Sequence, residues 1–271
     1  RVLFRSMVLY EYVGKMLRKE EKIVVENVKK LMRKAMGIVL SVVLTLGCIL
    51  GSGTIAWAEG ETADAAAKIK VACVGDSLTE GYTSTGANSG KKGPNAYPAR
   101  LQSLLGSGYE VKNFGETGAF LMEGTSNPYK SGTEYEQSKA YNADIVIIML
   151  GTNDSKNWNE ENYKTQMTAF YNEYKTENNK VIFATSPKCY QTTGNDITQE
   201  KVEKVYQAQK ALIKENAAWD FIDMYEKTEG KENLYNTYKV HFTDAGYLYI
   251  AECMYEKITG KKAPIEEKVK I

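Results

Sequence analysis

The stretch Val71-Ala-Cys-Val-Gly-Asp-Ser-Leu-Thr-Glu-Gly81 decides the fold of this chain. Its first four residues form a short apolar run, which is typical of a parallel strand covered on both faces. Gly75 then permits a sharp turn, and Asp76 and Ser77 follow it. Ligands of open α/β sheets bind beyond the carboxyl ends of the strands. This position makes Ser77 a candidate nucleophile, with an ordinary polar turn as the alternative interpretation.

Alternating strand-like and helix-like segments follow this stretch. The expected strands are apolar runs that end at glycine, proline or polar residues, namely Ile69–Gly75, Tyr109–Phe114, Asp144–Leu150, Val181–Thr185 and Trp219–Tyr225. The expected helices include Tyr97–Leu105, one beginning after Asn159, one marked by Val202 to Ile213, and one from near Thr243 to Gly260. This alternation predicts an α/β fold, with a parallel sheet of about five strands and helices on both faces.

The segment 32–58 has the features of a secretory signal peptide. A basic stretch at 32–36 precedes an apolar run at 38–50, and Ala56-Trp-Ala58 offers small residues at a cleavage site. An uncleaved anchor is the alternative, because 37–58 is about long enough to span a bilayer. Cys48 also hints at lipid attachment. Each interpretation sends the remainder of the chain out of the cytoplasm, so a secreted or cell-surface location is expected.

The remaining boundaries divide the chain into four further parts. We expect translation to begin near Met32, so that 1–31 is an upstream artefact or a disordered tail; a cytosolic helix is the alternative. Residues 59–68 are polar and alanine-rich, which is typical of a linker. The segment 69–260 has the size of one α/β domain, and 261–271 is expected to be a C-terminal tail.

Composition excludes several classes of function. The formal net charge is +1, and ten of the 35 basic residues precede position 59, so the rest of the chain is mildly acidic. The sequence has no basic patch of the kind that would indicate a nucleic-acid partner. Cys73, Cys189 and Cys253 lack the spacing of a metal or redox site. We therefore expect no cofactor, no metal, no nucleic acid, and membrane contact only through the N-terminal segment.

Four residues that suit acyl transfer lie at or near the expected carboxyl edge of the sheet. Ser77 can act as the nucleophile, and His241, the only histidine in the chain, can act as the base. The backbone N–H groups of Ser77 and Gly115 and the side-chain amide of Asn153 can stabilise an oxyanion. Separately, Gly115 suits a turn, Asn153 a loop cap and His241 a structural role. Together they predict one catalytic pocket.

These motifs resemble the SGNH hydrolases, also called GDSL esterases. The corresponding blocks are Gly75-Asp-Ser-Leu78, Asn113-Phe-Gly115, Gly151-Thr-Asn-Asp154 and His241-Phe-Thr-Asp-Ala-Gly246. The resemblance spans about 69–258. It implies a flavodoxin-like three-layer α/β/α sandwich, with Ser77 as nucleophile, His241 as base, and Ser77, Gly115 and Asn153 as oxyanion donors.

The chain departs from this family at the position three residues before the histidine, where an aspartate is usual. Tyr238 stands there, and a phenol is a poor substitute for the acid that orients the imidazole and stabilises its cation. A backbone carbonyl near Tyr238 is one alternative orienter. Asp223 and Glu226, which follow the fifth expected strand, are others. The sequence therefore predicts a Ser-His dyad whose orienter stays open.

The candidate substrate-binding residues are Asp76, Tyr82 and Trp158. The segments Tyr97-Pro-Ala-Arg-Leu-Gln102 and Gly151 to Trp158 are similar to SGNH members that remove acetyl groups from carbohydrates, and the two aromatic rings can stack on a sugar. Packing at the rim is the alternative role for these rings.

The resulting hypothesis is a secreted serine esterase that releases short acyl groups, above all acetyl, from a glycan or an acylated small molecule. No long apolar lid is visible in the sequence, which favours short acyl groups. A lipase or lysophospholipase is one alternative. A glycan-binding module that has lost its chemistry is the other, because Tyr238 replaces the acid.

Overall fold

A five-stranded parallel sheet organises the residues that the computed structural model describes, 67–82, 92–193 and 197–264. Its strands are β1 (Ile69–Gly75), β2 (Tyr109–Gly115), β3 (Ile145–Met149), β4 (Lys180–Ala184) and β5 (Asp220–Ile222). They lie in the order β2-β1-β3-β4-β5, and every neighbouring pair is parallel. This order matches the flavodoxin-like arrangement, in which the chain changes direction across the sheet between β1 and β3.

Seven α-helices surround the sheet within the described residues. They are α1 (Ser77–Glu80), α2 (Tyr97–Leu105), α3 (Thr133–Ala140), α4 (Glu160–Tyr174), α5 (Gln199–Glu215), α6 (Met224–Thr228) and α7 (Asp244–Thr259). Short 3-10 helices lie at Tyr129–Ser131, Asn153–Asn157 and Glu232–Leu234. The helix α4 begins at Asn159, whose side chain accepts a hydrogen bond from the N–H of Asn162, and α7 ends at Gly260 in the left-handed conformation.

The two faces of the sheet bury separate clusters, which produces three layers. On one face, Cys73 and Ile147 pack with Tyr97 of α2 and with Ile250 of α7. On the other face, side chains of the alternate strand positions pack against α4 and α5, among them Val74, Ile148, Met167 and Val205. This alternation follows from the two-residue period of a strand. The predicted α/β/α sandwich with a parallel sheet of about five strands is confirmed.

The fifth strand is shorter than the predicted segment Trp219–Tyr225. It ends at Ile222 because Asp223 caps α6, where its side chain accepts a hydrogen bond from the N–H of Glu226. The predicted signal segment at 32–58 and the tail at 1–31 lie outside the described residues, so these boundaries stay predictions. No helix in the described ranges combines the length and the apolar character needed to cross a membrane.

Three cysteines in the described ranges, Cys73, Cys189 and Cys253, are buried and free. Burial raises the pKa of Cys73 to about 12 and that of Cys189 to about 11. These thiols are therefore packing groups of the core.

Glycine at the ends of β1 and β2 allows the first helix to lie directly against the sheet. A methyl group added at Gly75 would stand 2.7 Å from the carbonyl oxygen of Met149. One added at Gly115 would stand 2.6 Å from Cα of Glu80, a backbone atom of α1. At Gly115 the backbone of α1 itself fills this space, so a larger residue there must displace α1 from the sheet. At Gly75 the obstacles are the side chain of Thr79 and the backbone of β3.

We therefore expect Gly115→Ala to destabilise the protein by about 1–3 kcal/mol, the usual cost of overpacking. For a domain of this size, each kcal/mol corresponds to a fall in Tm of about 2–4 °C. The matched control is Gly108→Ala, because a methyl group there meets nothing within 4 Å. Thermal unfolding followed by circular dichroism compares the two variants. Equal Tm values for both would contradict the close packing of α1.

Candidate active site

The turn after β1 presents Ser77 at the carboxyl edge of the sheet. The carboxylate of Asp76 accepts a hydrogen bond of 2.9 Å from the N–H of Leu78, which caps α1 and fixes the turn. Ser77 is the first residue of the helix, so its own N–H has no partner within α1. The side chain of Ser77 is therefore held at the end of a buried strand, where the sequence predicted it.

His241 approaches Ser77 from the segment that precedes α7. Its Nε2 lies 2.9 Å from Oγ of Ser77. The backbone of this segment is fixed on both sides, because the carbonyl of His241 accepts from the N–H of Asn236 and Phe242 bridges to Tyr235. The structure thus brings together two side chains that are 164 positions apart in the sequence.

A cavity of about 470 Å³ opens at this pair. Its lining residues are Ser77, Tyr82, Thr117, Gly118, Thr152, Asn153, Lys156, Ile197, Tyr238, Val240 and His241. The predicted nucleophile, base and amide share this cavity. Gly115, Asp76, Trp158 and Asp223 are not among its lining residues.

The expectation that the Gly115 amide stabilises an oxyanion is wrong. The N–H of Gly115 donates to Oδ1 of Asn113 at 2.9 Å. Gly118, three residues later, lies at the cavity wall in the left-handed conformation, with φ of 79°. The sequence contains both glycines, Gly115 at the end of β2 and Gly118 three residues later. The prediction chose Gly115 because it considered only the residue at the end of the strand.

Two buried carboxylates hold the loop that carries Gly118. Glu80 accepts hydrogen bonds from the backbone N–H of Thr117, at 2.7 Å, and from its hydroxyl group. Asp154 accepts from the N–H groups of Leu121 and Met122 at 3.0 and 2.8 Å. Sequence reasoning missed both roles, because each carboxylate acts on a segment more than 30 positions away.

The amide of Asn153 lies between the loop and the turn. Its Nδ2 donates to the carbonyl of Ala119 at 3.1 Å and lies 3.4 Å from the carboxylate of Asp76. The second contact is long for a hydrogen bond and is the weaker of the two. Asn153 also lines the cavity together with Ser77. Asn153 therefore has the placement expected of an oxyanion donor.

None of the predicted side-chain orienters contacts the imidazole of His241. Tyr238 is 64% exposed, and Asp223 accepts instead from Tyr206, Thr185 and its own helix. Glu226 also accepts from Tyr206. Across the described residues, Ser77 is the hydrogen-bond partner of the ring, so the predicted backbone carbonyl is absent as well.

An aromatic ring supports the imidazole where a carboxylate was expected. The ring centroids of Tyr82 and His241 lie 4.6 Å apart, with an interplanar angle of 48°. Tyr82 is itself anchored, because its N–H donates to the carbonyl of Ser77 and its carbonyl accepts from the hydroxyl of Tyr247. This packing restricts the rotation of the imidazole without supplying a charge.

Two of the predicted substrate-binding residues occupy other places. Asp76 is 1% exposed, and its carboxylate is engaged in capping α1. Trp158 packs on the core cluster against Tyr163, with ring centroids 5.3 Å apart. Both predictions are wrong, because the polar turn and the 3-10 helix direct these side chains inward. Tyr82 does line the cavity.

The site favours the neutral form of its base. Burial lowers the pKa of His241 from 6.5 to about 4, and the nearby ammonium group of Lys156 adds to the shift. Burial also raises the pKa of Asp76 to about 7. The imidazole is therefore unprotonated and able to accept a proton from Ser77 throughout the neutral pH range.

Sequence comparison identifies relatives of the chain. A model of the GDSL-like lipase/acylhydrolase family matches residues 73–248. An acetylxylan esterase of Xylanibacter ruminicola is 38% identical over 104 residues, which are 38% of this chain and 21% of that protein. The matched region thus spans about a fifth of the relative's length.

Solved structures share the fold at low sequence identity. An aryl esterase of M. smegmatis superposes with a TM-score of 0.58 and 21% identity, over 72% of this chain and 99% of that chain. Est24, a carbohydrate acetylesterase from Sinorhizobium meliloti, superposes with a TM-score of 0.54 and 17% identity, over 71% and 99%. These likenesses concern the fold.

The pKa of His241 is directly measurable because the chain contains one histidine. In protein without a histidine tag, we expect the NMR signal of its Cε1–H to titrate with a midpoint near 4. Removal of the ammonium group in Lys156→Gln takes away a repulsion of the imidazolium, so the midpoint should rise. A wild-type midpoint at or above 6.5 would contradict the described environment.

Proposed function

The chain belongs to the GDSL-like lipase/acylhydrolase family, and from this premise we propose that it is a secreted serine esterase that removes short acyl groups, above all acetyl, from carbohydrate. The observation that carries the proposal is the 2.9 Å contact between Oγ of Ser77 and Nε2 of His241 at an open cavity. A nucleophile within hydrogen-bond reach of a neutral base is the arrangement that acyl transfer requires.

In the first half of the proposed reaction, Oγ of Ser77 attacks the carbonyl carbon of the ester. Its proton passes to Nε2 of His241, and the carbonyl oxygen becomes an oxyanion. The N–H groups of Ser77 and Gly118 and the amide of Asn153 stabilise this charge. When the carbon–oxygen bond to the alcohol breaks, the leaving oxygen takes the proton from His241. The products are the free sugar hydroxyl and an acyl-serine.

In the second half, water repeats the sequence in reverse. His241 removes a proton from the water molecule as its oxygen attacks the acyl carbon. The oxyanion forms again at the same donors, and the bond to Oγ breaks. Ser77 recovers its proton from His241, and the carboxylic acid leaves. The enzyme ends the cycle in its starting protonation state, because the proton that leaves with the alcohol is replaced by one from water.

The shape and chemistry of the cavity support a short acyl group. Its aliphatic lining side chains are Ile197 and Val240, and the rest of the lining is polar or aromatic. Among the described residues, a long hydrocarbon chain would therefore find two aliphatic side chains to bury against, and its binding depends on buried area. The exposed Tyr238 and the ring of Tyr82 offer aromatic faces to a sugar. An acetylxylan esterase among the relatives supports the same substrate class.

Secretion is proposed from the N-terminal sequence. The basic stretch, apolar run and small-residue site within 32–58 suit export. A polysaccharide substrate is consistent with this location, because such polymers lie outside the cell.

We expect Ser77→Ala and His241→Ala each to lower kcat for p-nitrophenyl acetate by about four orders of magnitude or more, since such residues act as a unit. The control is Asp223→Asn, which keeps a capping oxygen for α6 and should retain most of the activity. Comparable rates for wild type and Ser77→Ala would refute the mechanism. A large loss of activity in Asp223→Asn, in protein that still folds, would instead indicate that Asp223 orients His241 as the third member of a catalytic triad.

A series of p-nitrophenyl esters tests the acyl group. We expect kcat/KM to be highest for acetate and to fall through butyrate and octanoate to laurate, because the cavity offers few apolar contacts. The substrate side is then tested by release of acetate from acetylated xylan. A preference that rises with chain length would instead indicate a lipase or lysophospholipase.

A further inference from the structure

One cation in the cavity has no carboxylate partner among the residues that the structure describes. Lys156 lines the wall beside Ser77 and His241. It belongs to the 3-10 helix Asn153–Asn157, in which side chains three positions apart eclipse each other. Lys156 therefore projects from the same face as Asn153, toward the same cavity.

The ammonium group of Lys156 has an aromatic neighbour and, among the described residues, no carboxylate partner. Its Nζ lies 5.7 Å from the ring centroid of Phe120, a favourable position for a cation. Among the described residues, no carboxylate oxygen lies within the 4.0 Å that defines an ion pair with this group, whereas Lys130, Lys164 and Lys188 each have one. Within the described part of the chain, the residues that line the cavity include no aspartate or glutamate.

The need to neutralise a carboxylate of the active site does not explain the positive charge of Lys156 well. Lys156 acts electrostatically on the carboxylate of Asp76. That carboxylate already accepts a hydrogen bond from the N–H of Leu78 and lies against the amide of Asn153. Its raised pKa, about 7, leaves it only partly ionised near neutral pH. The ammonium group also opposes the imidazolium that forms on His241 during the reaction. The ammonium group is therefore placed to meet an anionic group of a molecule that enters the cavity.

We propose that Lys156 binds the carboxylate of an acidic sugar, so that the preferred substrate is an acetylated uronic or sialic acid unit. This inference rests on the proposed function and specifies its substrate class. A carboxylate at Lys156 forms a charge-assisted hydrogen bond, and it also cancels the positive field at His241. The acidic substrate should therefore improve kcat as well as KM.

The test compares two forms of one substrate, an acetylated methyl galacturonoside as the free acid and as its methyl ester. For the wild type at pH 7 and low salt, we expect kcat/KM for the acid to exceed that for the ester by about tenfold. A tenfold ratio corresponds to about 1.4 kcal/mol, close to the lower end of what a hydrogen bond to a charged group contributes. The same pair made from an O-acetylated sialic acid shows which sugar acid fits. Added salt should reduce both ratios.

Three variants separate recognition from general effects on the site. Lys156→Gln should bring the acid-to-ester ratio to about one, whereas Lys156→Arg should preserve most of it. Lys210→Gln removes an exposed cation far along α5 and should leave the ratio unchanged. Because each ratio is taken within one variant, a change in the basicity of His241 that acts on both substrates cancels.

The outcomes distinguish this inference from the proposed function. Hydrolysis of both forms at equal rates by the wild type, for both sugar acids, would overturn the role of Lys156 and leave the esterase intact. A ratio that survives in Lys156→Gln would do the same. No hydrolysis of any of these acetyl esters would overturn the preference for acidic sugars, and the assay with p-nitrophenyl acetate would then show separately whether the esterase itself is active.

Discussion

The turn from β1 into α1 is the constraint on which the rest of the molecule depends. Asp76 is buried at the end of β1, and its carboxylate accepts a hydrogen bond from an N–H group in the first turn of α1. The helix can lie this close to the sheet because Gly115 leaves room for its backbone and Gly75 for the side chain of Thr79. The position of Ser77 is thus set by backbone packing and one buried carboxylate, before any other active-site residue is considered.

The sheet and the candidate pair Ser77 and His241 were predictable because their signals are local. Apolar runs that end at glycine define the strands, and the parallel sheet then brings Ser77 and Asn153 to one edge. His241 followed from its place before the last helix. These predictions needed strand periodicity and topology only, and the structure reproduces them closely.

The supporting residues were not predictable, because their roles depend on contacts between distant segments. Glu80 and Asp154 read as ordinary acids in the sequence, yet they fix the loop that carries Gly118. Trp158 was predicted to bind substrate, and it instead packs against the core cluster. The assignment of Gly115 failed for a related reason, since the side chain of Asn113 two residues earlier takes its amide. Such hydrogen-bond partners can be identified only from the three-dimensional structure.

The buried thiols have a consequence for where this protein can be made. Within the described residues, Cys73, Cys189 and Cys253 are free and enclosed by the core. No covalent cross-link there contributes to the fold, and the raised pKa values of these groups keep them out of thiolate chemistry. The described residues can therefore reach this fold under reducing conditions, and thiol-directed reagents should leave the pair of Ser77 and His241 untouched.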